Sequence, residues 1–201
     1  MAEKSLAELA ELQAMAKAFL EAAARAFREA ESRAFLKAEA RAFLEADARV
    51  LERNPLPDIY AAPVTDDFLH WTASISGPAG TPYEGGLFHL TVMFPNDFPL
   101  NDPKIVFKTK TLHPIVNTDG RACTYCILNG LPFDKGFWFV YGVRRILKSI
   151  FKMLSDPFSC AAHPDDEDAA MFTTSPDLYE RKAKEWTQRY AMIERWQRAG
   201  G

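Results

Sequence analysis

The first 53 residues contain neither glycine nor proline, and this feature constrains the fold of the 201-residue chain more than any other. Alanine is abundant there, and charges of both signs alternate. Ser5-Leu6-Ala7-Glu8 has the form of a capping box, and Asn54-Pro55-Leu56-Pro57 stops the segment sharply. The segment therefore predicts a helix, about 75 Å long at roughly 1.5 Å per residue if uninterrupted. A break near Glu31-Ser32, giving two shorter helices, is the alternative.

An eight-residue repeat lies inside this helix, reading KAFLEAAA, RAFREAES, RAFLKAEA and RAFLEADA over residues 17–48. Its phenylalanines advance about 80° around the helix at each repeat, so they spiral and form no single stripe. This pattern fits a heptad coiled coil poorly. Two interpretations stay open: the last turns pack on a domain while the rest is solvated, or residues 5–45 form a docking or self-association arm. The phenylalanines are Phe19, Phe27, Phe35 and Phe43.

Composition and charge exclude several classes of function. A net charge of −3 gives no electrostatic footprint for nucleic acid or an anionic membrane. No apolar run approaches the roughly 18 residues that a membrane span needs. Three cysteines, Cys123, Cys126 and Cys160, cannot form a disulfide framework, which favours a reducing compartment. We therefore expect a soluble protein of the cytoplasm, the nucleus or both.

The remainder of the chain predicts a sheet followed by helices. Residues 69–76, 87–94 and 104–109 are rich in β-branched and aromatic side chains, and no helix separates them. They predict an antiparallel meander. A helix is predicted from about residue 141 to 154, and another from 176 to 198. The expected fold class is α+β. The predicted apolar face of the last helix comprises Leu178, Ala183, Trp186 and Tyr190.

Several segments, in the same order along the chain, resemble those of the ubiquitin-conjugating enzymes. Arg53-Asn54-Pro55 resembles the end of that family's first helix, and residues 66–71 (DDFLHW) resemble its first strand. Residues 77–107 are very close to its central meander, and residues 175–192 are similar to its C-terminal helix. His113-Pro114, followed by Gly120 and Cys123, matches its active-site segment.

The resemblance covers roughly residues 44–192 and implies a UBC-like fold. Such a fold has an N-terminal helix, an antiparallel four-stranded meander, a central helix and C-terminal helices. We divide the chain into a helical extension (1–38), a UBC core domain (39–195) and a flexible tail (196–201).

The family likeness implies that Cys123 carries the chemistry. This cysteine would accept ubiquitin, or a ubiquitin-like modifier, as a thioester from an activating enzyme and pass it to a substrate or a ubiquitin ligase. His113 would support the active-site loop. ATP is spent by the activating enzyme, so no metal or organic cofactor is expected in this chain.

Cys126 competes with Cys123 for this role. Family members usually show two residues between the cysteine and Ile-Leu, whereas three separate Cys123 from Ile127-Leu128. The Cys-x-x-Cys spacing also suggests zinc or redox chemistry, although no second pair of zinc ligands is present in the sequence. Cys160 is expected to have no chemical role.

Two positions depart from the family's active-site pattern, and two others are candidates for its polar groups. Ile115 stands where the family has an asparagine, whose amide is thought to stabilise the oxyanion formed when lysine attacks the thioester. Asn117, two residues on, is a candidate substitute, or else an ordinary turn residue. Tyr125 replaces an acidic residue. After inserted residues, Asp166 is the best match to the family's gate acid, or else part of a solvated loop.

The expected partner surfaces also differ from the family's. Leu100 occupies the position of a ligase-contacting phenylalanine, and Phe139-Val140 replaces the usual Ser-Pro. Ala42, Phe43 and Ala46 stand on the helix face that is basic in the family and binds the activating enzyme.

Two hypotheses follow for the function. The first is an active conjugating enzyme with atypical partners. The second is a catalytically impaired variant that acts as a binding scaffold. The cysteine at the matching position favours the first, and Ile115 and Tyr125 favour the second.

Overall fold

The computed structural model describes residues 2–64, 66, 68–98, 100–129, 142–157 and 167–192. Within these ranges the chain forms one four-stranded antiparallel sheet and five helices, so the predicted α+β class is confirmed. In chain order the elements are α1 (Ala2–Arg53), β1 (Ile59–Pro63), β2 (His70–Ser76), β3 (Leu87–Met93), β4 (Lys104–Phe107), α2 (Thr124–Asn129), α3 (Gly142–Ser155), α4 (Glu167–Thr174) and α5 (Pro176–Tyr190).

Helix α1 is continuous, so the alternative of a break near Glu31-Ser32 is wrong. The Ser32 hydroxyl donates a hydrogen bond to the Arg28 carbonyl at 2.9 Å, and the helix accommodates it without interruption. Because α1 begins at Ala2, Ser5 lies inside the helix and is not its N-cap. The predicted end is confirmed, since the helix stops at Arg53, shortly before Pro55.

Only the last turns of the described part of α1 are buried. Ala40, Leu44, Ala48 and Leu51 belong to the hydrophobic core, at the spacing of one helix face. Phe43 is partly buried, with its ring centroid 5.9 Å from that of Phe98. The other three phenylalanines of the repeat are exposed by 64% to 71%. The packing of α1 therefore follows the first interpretation, and a docking role for its exposed part stays a prediction.

The sheet is a simple meander in the order β1-β2-β3-β4, and every neighbouring pair is antiparallel. Strand β1 was not identified in the sequence, and the assignment of residues 66–71 to the family's first strand is wrong, because this stretch leads into β2. Strand β1 has only five residues, ends in Pro63 and lies at the sheet edge. Such a segment carries little alternation of apolar and polar residues from which to recognise it.

Helix α3 contributes an apolar face to the buried core of the sheet. Its buried residues recur at helical spacing and join the same cluster as Trp71 and Leu90 of the sheet. They include Val143, Ile146, Leu147, Ile150 and Leu154.

Helix α5 ends earlier than the sequence predicted. It stops at Tyr190, and the chain then pairs with the start of β3: the Leu87 N–H donates to the Ala191 carbonyl at 2.8 Å. The predicted face is also partly wrong. Leu178 is 39% exposed, Trp186 and Tyr190 are half-buried, and the buried residues are Tyr179, Ala183 and Thr187.

Across the described ranges, none of the helices combines the length and the apolar character that crossing a membrane would require.

Candidate active site

Cys123 lies at the end of a tight hairpin. The Asn117 N–H donates to the Arg121 carbonyl at 2.8 Å, and the Cys123 N–H donates to the Ile115 carbonyl at 2.8 Å, so the two arms are paired. Three residues close the loop, and the third is Gly120 with a φ of +84°. A type I turn followed by a left-handed residue is a common geometry for a three-residue hairpin loop. The backbone of Cys123 is thereby fixed on one side.

The returning arm of this hairpin is also paired with strand β4. The Phe107 N–H donates to the Gly120 carbonyl at 2.8 Å, and the Ala122 N–H donates to the Ile105 carbonyl at 3.0 Å. A Cβ atom on Gly120 would lie 2.3 Å from the Phe107 carbonyl oxygen, so this approach requires glycine. The segment leading to Cys123 is therefore held on both sides and extends the sheet beyond β4.

The residues after Cys123 form the short helix α2, which the sequence did not predict. The Thr124 hydroxyl donates to the Pro103 carbonyl at 2.9 Å, and Ile127 and Leu128 are buried. The Cys126 N–H donates to the Cys123 Sγ at 3.4 Å. Both cysteines are half-buried thiols. Cys123 is therefore partly exposed, and its backbone is held by hydrogen bonds.

His113 ties the active-site segment to helix α3. Its ring is buried; Nδ1 accepts a hydrogen bond from the Ile115 N–H at 3.2 Å, so the Nε2–H donates to the Met153 carbonyl at 3.1 Å. This arrangement requires the neutral ring. Burial lowers the pKa of His113 to about 4, and the hydrogen bond to Met153 opposes this only in part. His113 is thus uncharged at neutral pH, and both ring nitrogens are engaged with the backbone.

Two buried tyrosines hold the residue before His113, and neither was predicted to have a role. The hydroxyls of Tyr83 and Tyr179 both donate to the Leu112 carbonyl, at 2.9 and 3.2 Å, and lie 2.8 Å apart. The Tyr83 ring also stacks on His113, with centroids 5.9 Å apart. The only signal in the sequence was the residue type itself, because a tyrosine that becomes buried needs a polar partner for its hydroxyl.

The two departures from the family pattern, Ile115 and Tyr125, and the candidate substitute Asn117 lie in three different environments. The Ile115 side chain is 1% exposed and belongs to the hydrophobic core. Asn117 is exposed where the hairpin turns, and its carbonyl accepts the Gly120 N–H at 2.9 Å. Tyr125 is 63% exposed in the first turn of α2. The residue at position 115 therefore supplies no side-chain donor, and its backbone carbonyl accepts the Cys123 N–H.

The remaining predicted site residues are only partly described. Leu100 is 65% exposed, on the loop after β3, where its N–H donates to the Asp97 carbonyl at 2.8 Å. Among the described residues, no group of three or more His, Cys, Asp or Glu side chains could hold a metal ion. The predicted gate acid Asp166, the ligase-facing Phe139 and Val140, and Cys160 lie outside the described residues.

The structure is thus an α+β domain in which a half-buried cysteine ends a hydrogen-bonded hairpin beside a four-stranded antiparallel meander. The family model of the ubiquitin-conjugating enzymes matches residues 43–187, which include the whole sheet, Cys123 and helix α3. The chain belongs to the ubiquitin-conjugating enzyme family, and its general function lies in ubiquitin conjugation. The family as a whole works with ubiquitin, an activating enzyme and ubiquitin ligases.

Proposed function

We propose that the protein accepts ubiquitin, or a ubiquitin-like modifier, as a thioester on Cys123 from an activating enzyme and transfers it to a substrate or a ligase. The observation that carries this proposal is the half-buried Cys123 thiol at the end of a hairpin that is hydrogen-bonded on both sides. The Cys123 thiolate would attack the activating enzyme's thioester, and the activating enzyme's cysteine would leave as a thiolate. One thioester replaces another, so the exchange needs no cofactor in this chain.

The hydrogen bonds favour Cys123 over Cys126 as the carrier. The Cys123 backbone is fixed by the hairpin, and the Cys126 N–H is directed at the Cys123 sulfur. Cys126 instead belongs to the first turn of α2.

With activating enzyme, ATP and ubiquitin, we expect an adduct that a thiol reductant removes. Cys123→Ala abolishes this adduct, and Cys126→Ala retains it. The reverse pattern would assign the thioester to Cys126, and no adduct with any modifier of this class would overturn the proposal.

The buried Ile115 supports transfer to a thiol or hydroxyl acceptor, or to a ligase cysteine, in preference to lysine. Loss of one oxyanion donor typically costs about 100- to 1000-fold in turnover. We expect the loaded protein to discharge much faster onto free cysteine than onto free lysine, with serine as a third acceptor. Discharge onto lysine at a rate comparable to cysteine would contradict this preference.

Two side chains are proposed to support whatever transfer to lysine remains. Asn117 would donate to the oxyanion, and Asp166 would act as the gate acid. Asn117→Ala and Asp166→Asn are each expected to slow discharge onto lysine while leaving thioester loading unchanged. If either variant discharges onto lysine as fast as the wild type, the side chain that it lacks takes no part in that transfer.

A catalytically impaired scaffold is the alternative, favoured by the placement of Ile115 in the core and by the exposed Tyr125. Such a protein would form no thioester but would still bind ubiquitin or a ligase, which calorimetry would detect.

Leu100→Ala tests whether Leu100 contacts the ligase. We expect weaker ligase binding with unchanged loading, because Leu100 is exposed and lies on a loop separate from the Cys123 hairpin.

A further inference from the structure

Cys123 and Cys126 form a close pair whose second member the carrier reaction does not use. The Cys126 backbone nitrogen lies 3.4 Å from the Cys123 Sγ, and both cysteines are half-buried. The Cys123 carbonyl also accepts the Ile127 N–H at 3.1 Å. This is a helical bond between residues four apart, so Cys123 already takes part in the first turn of α2.

This backbone geometry suits a disulfide. Residues three apart in a helical turn have Cα atoms about 5 Å apart. Disulfides span Cα separations of roughly 4.4–6.8 Å. The Cys123 sulfur already lies beside the backbone nitrogen of Cys126, one bond from its Cα atom. Closing the bridge therefore needs rotation of side chains and leaves the hairpin hydrogen bonds in place.

We propose that Cys123 and Cys126 are joined in a reversible disulfide when the protein meets a peroxide. The Cys123 thiolate attacks one peroxide oxygen, forming a sulfenic acid, and the other oxygen leaves as hydroxide, or as water once protonated. The Cys126 thiolate then attacks the Cys123 sulfur, forms the S–S bond and displaces a second hydroxide. Overall, two thiols and one hydrogen peroxide yield one disulfide and two waters, and a dithiol reductant restores both thiols.

The bridge has two consequences for the site. It occupies the Cys123 sulfur, so thioester formation stops; this consequence rests on the proposed carrier function. It also removes the sulfenic acid before further oxidation to the sulfinic acid, which thiols do not reverse. Cys126 is therefore the resolving cysteine for Cys123.

Mapping of the oxidised full-length chain by peptide mass spectrometry tests the bridge directly. After brief treatment with hydrogen peroxide, we expect the wild type to lose two of its three thiols. A peptide carrying Cys123 linked to Cys126, lighter by two hydrogens, should appear, and dithiothreitol should restore both thiols. The matched control Cys160→Ser should behave identically at the pair. In Cys126→Ser we expect the Cys123 sulfinic acid, which dithiothreitol does not reverse.

The outcomes separate the bridge from the carrier function. Mapping needs neither activating enzyme nor ubiquitin, so a chain that forms the bridge but never loads contradicts only the proposed function. Sulfinic acid at Cys123 formed equally in the wild type and in Cys126→Ser, or a bridge to Cys160 or to a second chain, overturns the disulfide proposal. Far-ultraviolet circular dichroism of Cys126→Ser, recorded beforehand, ensures that the comparison is between folded chains.

Discussion

At the scale of single residues, backbone hydrogen bonds fix Cys123, and a few side chains make that backbone path possible. Gly120 lets the hairpin close against β4, and His113 links the hairpin to α3. Ile115 contributes its carbonyl to the Cys123 N–H, whereas its side chain packs in the core. The absence of an amide side chain at position 115 therefore leaves the backbone hydrogen bond to Cys123 intact.

Gly120→Ala should damage the site more than a matched glycine substitution. The new Cβ would meet the Phe107 carbonyl at 2.3 Å in a backbone with φ of +84°, so we expect a loss of more than about 2 kcal/mol in unfolding free energy, with reduced loading. Gly80→Ala has a similar φ of +74° but no atom within 4 Å, so it should cost only about 1–2 kcal/mol with loading unchanged. Equal effects of the two variants in urea unfolding and loading would contradict the role of Gly120.

His113 should make stability fall with acidification. Its folded pKa of about 4 lies below the ordinary 6.5, so between these values the unfolded chain binds a proton that the native chain does not. The contribution is complete above pH 6.5 and is lost as pH falls towards 4, by up to about 3 kcal/mol.

Urea unfolding across this pH range measures the effect. His113→Gln should flatten the dependence, and His70→Gln, at an exposed position, should keep it. The raised pKa of Asp47 acts in the opposite sense and is common to all three proteins. A pH dependence unchanged by His113→Gln would show that His113 is not responsible for it.

At the scale of elements, the end of α1 and the start of α3 are joined by polar contacts. Asp47 Oδ2 accepts the Val143 N–H at 2.5 Å, and Arg144 donates to the Asn54 carbonyl. Gly142, with φ of +50°, lies so close to Asp47 that a Cβ atom would overlap its carboxylate. Burial raises the pKa of Asp47, and the hydrogen bond from Val143 opposes this. One side chain of α1 thus satisfies the Val143 N–H in the first turn of α3.

Asp47→Ala should destabilise the protein by about 1 kcal/mol, the typical cost of losing a side-chain acceptor at a helix start. Glu45→Ala is the matched control on the same helix, because Glu45 forms an ion pair at 2.6 Å with the exposed Arg49 of the same helix. We expect the control to cost less than about 0.5 kcal/mol. Chemical denaturation compares the two variants, and equal losses would show that the contact to Val143 contributes nothing.

Most of the elements around the site were predictable from sequence, whereas β1 and α2 were not. Helix α1, the strands β2 to β4 and helix α3 lie where the pattern indicated. Strand β4 has only four residues, but its sequence KIVF is rich in β-branched and aromatic side chains. Strand β1, which ends in Pro63, and helix α2, which has six residues, display no clear apolar period. Cys123 is predicted as the site residue from its turn-rich flanks and the family resemblance. The hydrogen bonds between β4 and the hairpin could not be predicted from sequence, because they depend on a close tertiary approach that requires Gly120.

At the scale of the whole molecule, α1 reaches far beyond the residues that pack on the core. Its buried positions begin at Ala40 within the described side chains, and the family match begins at residue 43. The division at residue 38 stays a prediction, as does a docking or self-association role for the exposed repeat. The described structure gives the exposed phenylalanines no part in the stability of the monomer.

Deletion of residues 1–38 should leave both the thermal midpoint and thioester loading unchanged, because it removes no buried side chain of the described core. Deletion of residues 1–48 is the control: it also removes Leu44, which is fully buried, and should prevent stable folding. Sedimentation of the full chain and the shorter deletion compares their oligomeric states. Lost loading in the 1–38 deletion, with the midpoint unchanged, would show that the extension takes part in binding the activating enzyme.

The most direct test of Cys123 as the carrier is the chemical stability of the adduct in serine variants. With activating enzyme, ATP and ubiquitin, Cys123→Ser should form an oxygen ester that resists thiol reductant and is cleaved by hydroxide. Cys126→Ser should form an adduct that reductant removes, as in the wild type. A reductant-resistant adduct on Cys126→Ser, with a reductant-sensitive one on Cys123→Ser, would contradict the assignment.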